Sequence, residues 1–301
     1  MNKFKYILAF LGIFSIQLQA QKSVSFDELA FYADVMVNAA NEKNRVFALE
    51  KFNNLFIKEI DKKESFSNDF SNIKTISNLK ADDASFRIFT WQIKKDDNTY
   101  LQNGLIQKAN GNYQILKQNN ASIATLGYDE VNAQTWYGAL YYNMMYDQES
   151  KSYLIFGLNA ADANTYYKVA DVISFDKNEE VVFGKEIFRY DNKSNRPDLR
   201  TRITVGYAPY TSVNLSYNID EKMIIHDYTT ERSIGIQGNQ SGLVPDGTYV
   251  AYKPENGVWQ RIAQLENTAV DLMSPDYKTK RSTNTPDILG RTKGSSKKGG
   301  G

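Results

Sequence analysis

Residues 85–93 read Ser-Phe-Arg-Ile-Phe-Thr-Trp-Gln-Ile, an alternating segment that sets Phe89, Trp91 and Ile93 on one face of a β-strand. The polar stretch 94–98, ending Asp96-Asp97-Asn98, closes that strand as a turn, and residues 100–107 return. Asn110-Gly111 is the strongest short hairpin signal in the chain, because both residue types accept the positive φ of a tight turn, and residues 112–117 run back again. An antiparallel meander follows from these three segments. Downstream the pattern continues with residues 137–146 paired to 151–158, 168–175 paired to 181–183 across 176–180, and then 200–207, 213–217 and 222–228. The last pair is 248–252 with 258–263, joined through 254–257.

Two of these hairpins echo each other. Asp97-Asn-Thr-Tyr100 leads to Asn110-Gly-Asn-Tyr-Gln114, and Asp246-Gly-Thr-Tyr249 leads to Asn256-Gly-Val-Trp-Gln260. A decayed repeat of about 40 residues would suit propeller blades, but hairpins in any sheet share this turn chemistry.

Upstream the periodicity changes. Ser25 and Glu28 form a capping box, and Phe26, Leu29, Ala30, Ala33, Val37 and Ala40 recur at helical spacing. After a break at 41–44, Val46, Leu49, Phe52, Phe56 and Ile60 repeat in steps of three and four. The fold expected is therefore α+β: an N-terminal helical hairpin (residues 21–65) packed on an extended antiparallel β-sheet (66–273), closed as a barrel, sandwich or incomplete propeller.

The two ends read differently. Residues 1–20 carry Lys3 and Lys5, then the apolar run from Tyr6 to Ile16, then Gln17-Leu-Gln-Ala20: the order of a secretory signal peptide, cut between Ala20 and Gln21. The run is too short for the roughly 20 residues that span a bilayer, so no transmembrane segment is expected in the mature chain. Residues 274–301 hold seven basic residues against Asp276 and Asp287, with little that is apolar, and read as a disordered basic tail. Beyond Tyr277 the tail interleaves no aromatics among its basic residues, which argues against nucleic acid as a partner.

Composition excludes several chemistries. The chain has 301 residues, net charge +1, 20 Tyr, 16 Phe and 3 Trp, no Cys and one His. Disulfides, thiolate ligands and a Cys nucleophile are therefore impossible, and zinc sites usually need several His or Cys. His226 sits beside Asp227 in Met223-Ile-Ile-His-Asp-Tyr228, and adjacent strand residues point to opposite faces, so Asp227 is a poor orienting carboxylate. Gly-x-Ser-x-Gly and phosphate-binding glycine loops are absent. No catalytic residue, metal site or cofactor is assigned. Carboxylate chemistry survives elimination, with Asp82, Asp83, Asp129, Glu130, Asp171 and Asp246 available, though no motif marks a pair. Trp91, Trp136, Tyr137 and Trp259 are the candidate binding residues, as a stacking platform for sugar rings or a partner, set against the plainer reading that they are core.

The combination of Phe86-Arg-Ile-Phe-Thr-Trp91, Trp136-Tyr-Gly-Ala-Leu-Tyr-Tyr142, Tyr153-Leu-Ile-Phe-Gly157, Val213-Asn-Leu-Ser-Tyr217, Ile225-His-Asp227 and Pro245-Asp-Gly-Thr-Tyr249 resembles a family of secreted, functionally uncharacterised Bacteroidota proteins. The resemblance implies an exported protein, periplasmic or extracellular, with no catalytic residues to carry over. It also implies an apolar or aromatic residue where His226 stands. The function expected is a non-catalytic binding or scaffold protein of the cell envelope, with an envelope protein or glycan as partner. A carboxylate-based glycan hydrolase and an accessory part of a secretion or motility machine are the alternatives.

Overall fold

Strand β2 (Phe86–Lys94) decides the architecture because both of its faces are buried. Phe89, Trp91 and Ile93 meet a helical layer on one side, while Phe86 and Ile88 enter a second core on the other. A sheet that is apolar on both faces has to be covered twice. The computed structural model, which describes residues 26–190, 198–234 and 240–265, shows how. The segments read as signal peptide and basic tail, and Ser25 of the capping box, lie outside the described residues.

Helix α1 (Phe26–Asn38) buries Leu29, Ala33 and Met36, and α2 (Glu42–Ile60) buries Ala48, Leu49, Phe52, Phe56 and Ile60. Asn41 caps α2, its side-chain oxygen accepting from the Asn44 N–H at 2.9 Å. The hairpin covers the first sheet, β1 (Ser77–Lys80), β2, β3 (Tyr100–Lys108) and β4 (Tyr113–Leu116), an antiparallel meander in sequence order. Phe56 is the hub of this core, with ring centroids 5.2 Å from Phe52, 5.5 Å from Phe70, 5.0 Å from Phe89 and 5.6 Å from Trp91.

The second sheet runs in the order β5 (Val131–Asn132), β9 (Val181–Phe183), β8 (Tyr166–Phe175), β7 (Ser152–Asn159), β6 (Leu140–Asp147), with β12 (Ile203–Tyr207) also on β8. Its central strands repeat the logic of β2. Tyr153, Ile155, Val169 and Ile173 face the first sheet, and Leu154, Phe156, Ala170 and Val172 face the third. That third sheet has the order β11 (Asp198–Arg200), β10 (Phe188–Tyr190), β16 (Val258–Leu265), β15 (Gln240–Glu255), β14 (Met223–Ile234), β13 (Leu215–Asn218). β10 and β16 pair in parallel, so the sheet is mixed.

The α+β, β-rich reading holds, as a sandwich of stacked sheets under a helical layer and without a closed barrel. Three sheets replace the one extended sheet of the sequence reading. Residues 200–207 divide between β11 and β12 in different sheets, because the intervening Thr201 and Arg202 turn inward. Residues 137–139 precede β6 as irregular chain: Gly138 has φ +81°, and a Cβ there would lie 2.9 Å from Gln102. Asp246-Gly247-Thr248 sits inside β15 where the register against β14 shifts, a bulge rather than a strand opening, whereas Asn256-Gly257 forms the expected turn into β16. The echo between the two hairpins is thus shared turn chemistry, placed in separate sheets.

Replacing Phe56 by Ala should destabilise the chain by about 3–5 kcal/mol, since it opens a cavity at the centre of the helix–sheet core. Urea unfolding of Phe56→Ala beside the parent chain measures it.

Candidate functional site

The four residues chosen for binding from the sequence occupy three different places. Trp136 and Tyr137 are 0% exposed, Trp259 1% and Trp91 4%, so none offers an open stacking face. Each of the first three is tied into a polar arrangement between layers.

Trp136 and Tyr137 belong to a relay around Asp171. The Trp136 indole N–H donates to the Tyr141 hydroxyl at 2.9 Å, the Tyr141 and Tyr137 hydroxyls are 2.9 Å apart, and Tyr137 donates to Asp171 Oδ2 at 2.9 Å. Arg202 Nε donates to the same oxygen at 2.9 Å, both partners being fully buried. The remaining guanidinium donors reach the carbonyls of Leu126 and Phe183, and Asp171 Oδ1 accepts the Val172 N–H. Burial and the Asp171 charge push the Tyr137 hydroxyl well above its ordinary range. Burial lowers the Arg202 guanidinium, but Asp171 and the tyrosines outweigh it, for a net upward shift. Every member is satisfied, as a buried ion pair requires.

Trp259 performs a simpler joining task. Its indole N–H donates to Asp147 Oδ2 at 3.1 Å, linking β16 of the third sheet to the hairpin between β6 and β7 of the second. Asp147 also takes the backbone N–H and the hydroxyl of Ser150.

Four acids outside the core serve their own backbone. Asp69, Asp83, Asp97 and Asp246 each accept from the hydroxyl and the backbone N–H of a Ser or Thr two residues on. Those bonds, from the Ser71, Ser85, Thr99 and Thr248 side chains first, lower all four carboxylates, Asp97 to about 2. A general acid needs the opposite displacement. His226 is 8% exposed, its Nδ1 bonded at 2.7 Å to the Asp227 carbonyl, and burial lowers it from 6.5 to about 4. Among the described residues no group of three or more His, Asp or Glu is placed to hold a metal ion, and no helix is long and apolar enough to cross a membrane.

Trp91 differs from the other three. Its indole N–H is buried without a partner, and so is the side-chain oxygen of Asn53 on α2. Both residues line one crevice of about 80 Å³, with Phe56, Ile57, Asn103, Gly104, Leu105, Ile115 and Leu116. Asn53, Phe56 and Ile57 lie at i, i+3 and i+4, so they share one helix face. Trp91 is opposite Asn103, and Leu105 opposite Ile115, in the strand registers beneath. Ile115 on edge strand β4 is 47% exposed and marks the mouth. No charged residue lines this crevice. Both unpaired atoms are closed to solvent, and the crevice beside them offers mostly apolar walls. The sequence reading singles out Trp91 and misses Asn53, which carries no motif.

Comparison of the chain with protein-family models, curated proteins and solved structures finds no match.

Two outcomes test the electrostatics. Asp171→Asn should cost about 3–5 kcal/mol by leaving Arg202 unpaired, whereas Asp171→Leu with Arg202→Met together should recover most of that loss; thermal unfolding of the variants decides. For His226 the folded state resists protonation. Its contribution is nil above about pH 6.5, and stability falls as pH drops from there to about 4, by about 3 kcal/mol in all. Urea midpoints of the parent and His226→Leu at about pH 7.5 and about pH 4.5 should differ in slope, with the variant losing less on acidification.

Proposed function

We propose that the chain is an exported, non-catalytic binding protein of the cell envelope whose ligand is a neutral envelope glycan. The observation that carries this reading is the uncharged, largely apolar crevice between α2 and the first sheet, lined by Trp91 and opening at exposed Ile115. The disposition of the acids supports binding over hydrolysis. Asp171 is neutralised by Arg202 inside the protein, and surface aspartates such as Asp83 and Asp246 are held charged by bonds from a neighbouring Ser or Thr. Export is supported by the signal-like order of residues 1–20 and by the resemblance to secreted Bacteroidota proteins.

A second reading, docking to a secretion or motility machine, draws on Phe31 of α1 and Phe47 of α2, which are 60% and 55% exposed. The glycan reading has the more specific chemistry and is preferred.

Expression in a Gram-negative host should yield a periplasmic or secreted product with an N-terminus at or within a residue or two of Gln21, read by mass spectrometry. That product should co-sediment with purified cell-wall polysaccharide without releasing reducing ends. A product that stays in the cytoplasm, or sugar release that disappears when one carboxylate is made an amide, overturns the reading.

A further inference from the structure

Two connections meet in a cleft of a different kind. Residues 117–130 follow β4 and residues 160–165 follow β7. Gln118, Asn119 and Asn120 of the first line one cleft with Asn159, Asp162 and Tyr167 at the second. This cleft shares no lining residue with the crevice beside Trp91.

Backbone partners fix how the lining side chains lie, and therefore which of their polar groups are left over. Asn159, 4% exposed, donates its amide N–H groups to the Tyr137 carbonyl at 3.0 Å and the Gly138 carbonyl at 2.7 Å. Gln118 Oε1 accepts the Gln102 N–H at 2.7 Å, and Asn119 Oδ1 accepts the Ala121 N–H at 3.4 Å, so each keeps an amide NH₂ without a partner among the described residues. Asp162 Oδ1 accepts the N–H groups of Asn164 and Thr165 at 2.7 and 2.8 Å, which leaves Oδ2. The Asn120 side chain is exposed and bonds no described residue.

The groups left over are of both kinds. Two amide NH₂ groups donate, one carboxylate oxygen accepts, and Asn120 can do either. A divalent cation asks for a shell of oxygens, which amide N–H groups repel, and among the described residues no three acids converge. An anion would meet the Asp162 charge with no Lys, Arg or His in the lining to offset it. An apolar ligand would strip water from these groups and return nothing. A sugar hydroxyl both donates and accepts, and two vicinal hydroxyls do so side by side, as a mixed set of amides and one carboxylate requires. Tyr167, half-buried with its hydroxyl bonded to Ser122, adds an aromatic wall for the C–H groups of such a ring.

We propose that this cleft binds the vicinal hydroxyls of a neutral hexose unit, as a contact for the envelope glycan separate from the crevice under α2. The assignment deepens the glycan reading above and rests on it.

Side-chain amide signals in ¹H–¹⁵N spectra of the full-length chain test it. The Asn120 NH₂ signal is identified by its loss in Asn120→Ala. The probes are β-1,4-linked tetramers of glucose, mannose and galactose, a galacturonate tetramer, and calcium chloride. At least one neutral tetramer should move the Asn120 signal saturably, and the galacturonate tetramer should leave it in place. Asp162→Asn, which keeps the oxygen that closes the turn and removes the charge, should weaken that binding by about 10-fold. An Asn120 signal unmoved by all three neutral tetramers overturns the proposal. Movement by calcium alone makes the cleft a cation site and overturns the sugar, and an equal response to galacturonate overturns the neutral assignment. Co-sedimentation with purified cell-wall polysaccharide separates the two readings. Pelleting of Asn120→Ala and Asp162→Asn as complete as that of the parent overturns this cleft and leaves the glycan reading to the crevice. A parent chain that does not pellet, yet binds a tetramer here, overturns the glycan reading and keeps the cleft as a site for free sugars.

Discussion

Burial of the central strands on both faces is the constraint from which this molecule follows. β2, β7 and β8 carry large side chains on each side, and water cannot be left on either. One sheet with one helical cover would leave Tyr153, Ile155 or Phe156 exposed. Stacking a helical layer and three sheets removes that surface through three cores, and it explains why an ordinary hydrophobic content of 42% suffices. Close approach between layers is set by small residues at a few points. Gly157 is one: a Cβ there would come within 2.7 Å of the Tyr141 ring, so the tyrosine lies directly on the strand.

Deep stacking creates a second problem, the polar groups that the strands carry inward. Arg87 enters the helix–sheet core with no carboxylate beside it. Its guanidinium is instead held by Gln107 and the carbonyls of Ser65 and Asn68, with the rings of Phe70 and Phe89 each 4.8 Å away. Burial lowers it only to about 10, so it remains charged at neutral pH and its charge is spread over carbonyls and π faces. Asp171–Arg202 between β8 and the start of β12, and Asp147–Trp259 between the second and third sheets, settle two further inward groups in pairs. These arrangements fix register between layers, because apolar contacts alone are tolerant of sliding whereas a bonded indole or guanidinium is not.

What the sequence shows and hides follows from that division. The helical stripes of α1 and α2, the Asn110-Gly111 and Asn256-Gly257 turns and the alternation in β2 depend on neighbours within a few residues, and they are legible. Trp136 and Trp259 can be weighed as core from the sequence, but not their partners, because the residues that claim them are remote: Asp171 is 35 positions from Trp136 through two tyrosines, and Asp147 is 112 from Trp259. No local pattern announces either pairing. The second covered face of β2, with Phe86 and Ile88, is hidden by Thr90, which reads as the polar side of an exposed strand but accepts the Tyr141 N–H at 3.0 Å.

The crevice between α2 and the first sheet is lined by two residues, Asn53 and Trp91, that each leave a buried polar atom unpaired. Position 53 shares a helix face with Phe56 and Ile57, where a leucine would fill the space and remove an unpaired carbonyl. A buried polar atom without a partner costs about 1–3 kcal/mol, and here an unpaired donor and an unpaired acceptor, both closed to solvent, belong to two residues that line one small crevice beneath an accessible edge strand. At Asp171 and Asp147 such costs are removed by pairing across layers, whereas Thr75, Gln102, Arg189 and Tyr252 each keep an unpaired buried atom. Trp91 therefore belongs to the binding reading only through the crevice it lines, and its ring remains part of the core that holds the helices down.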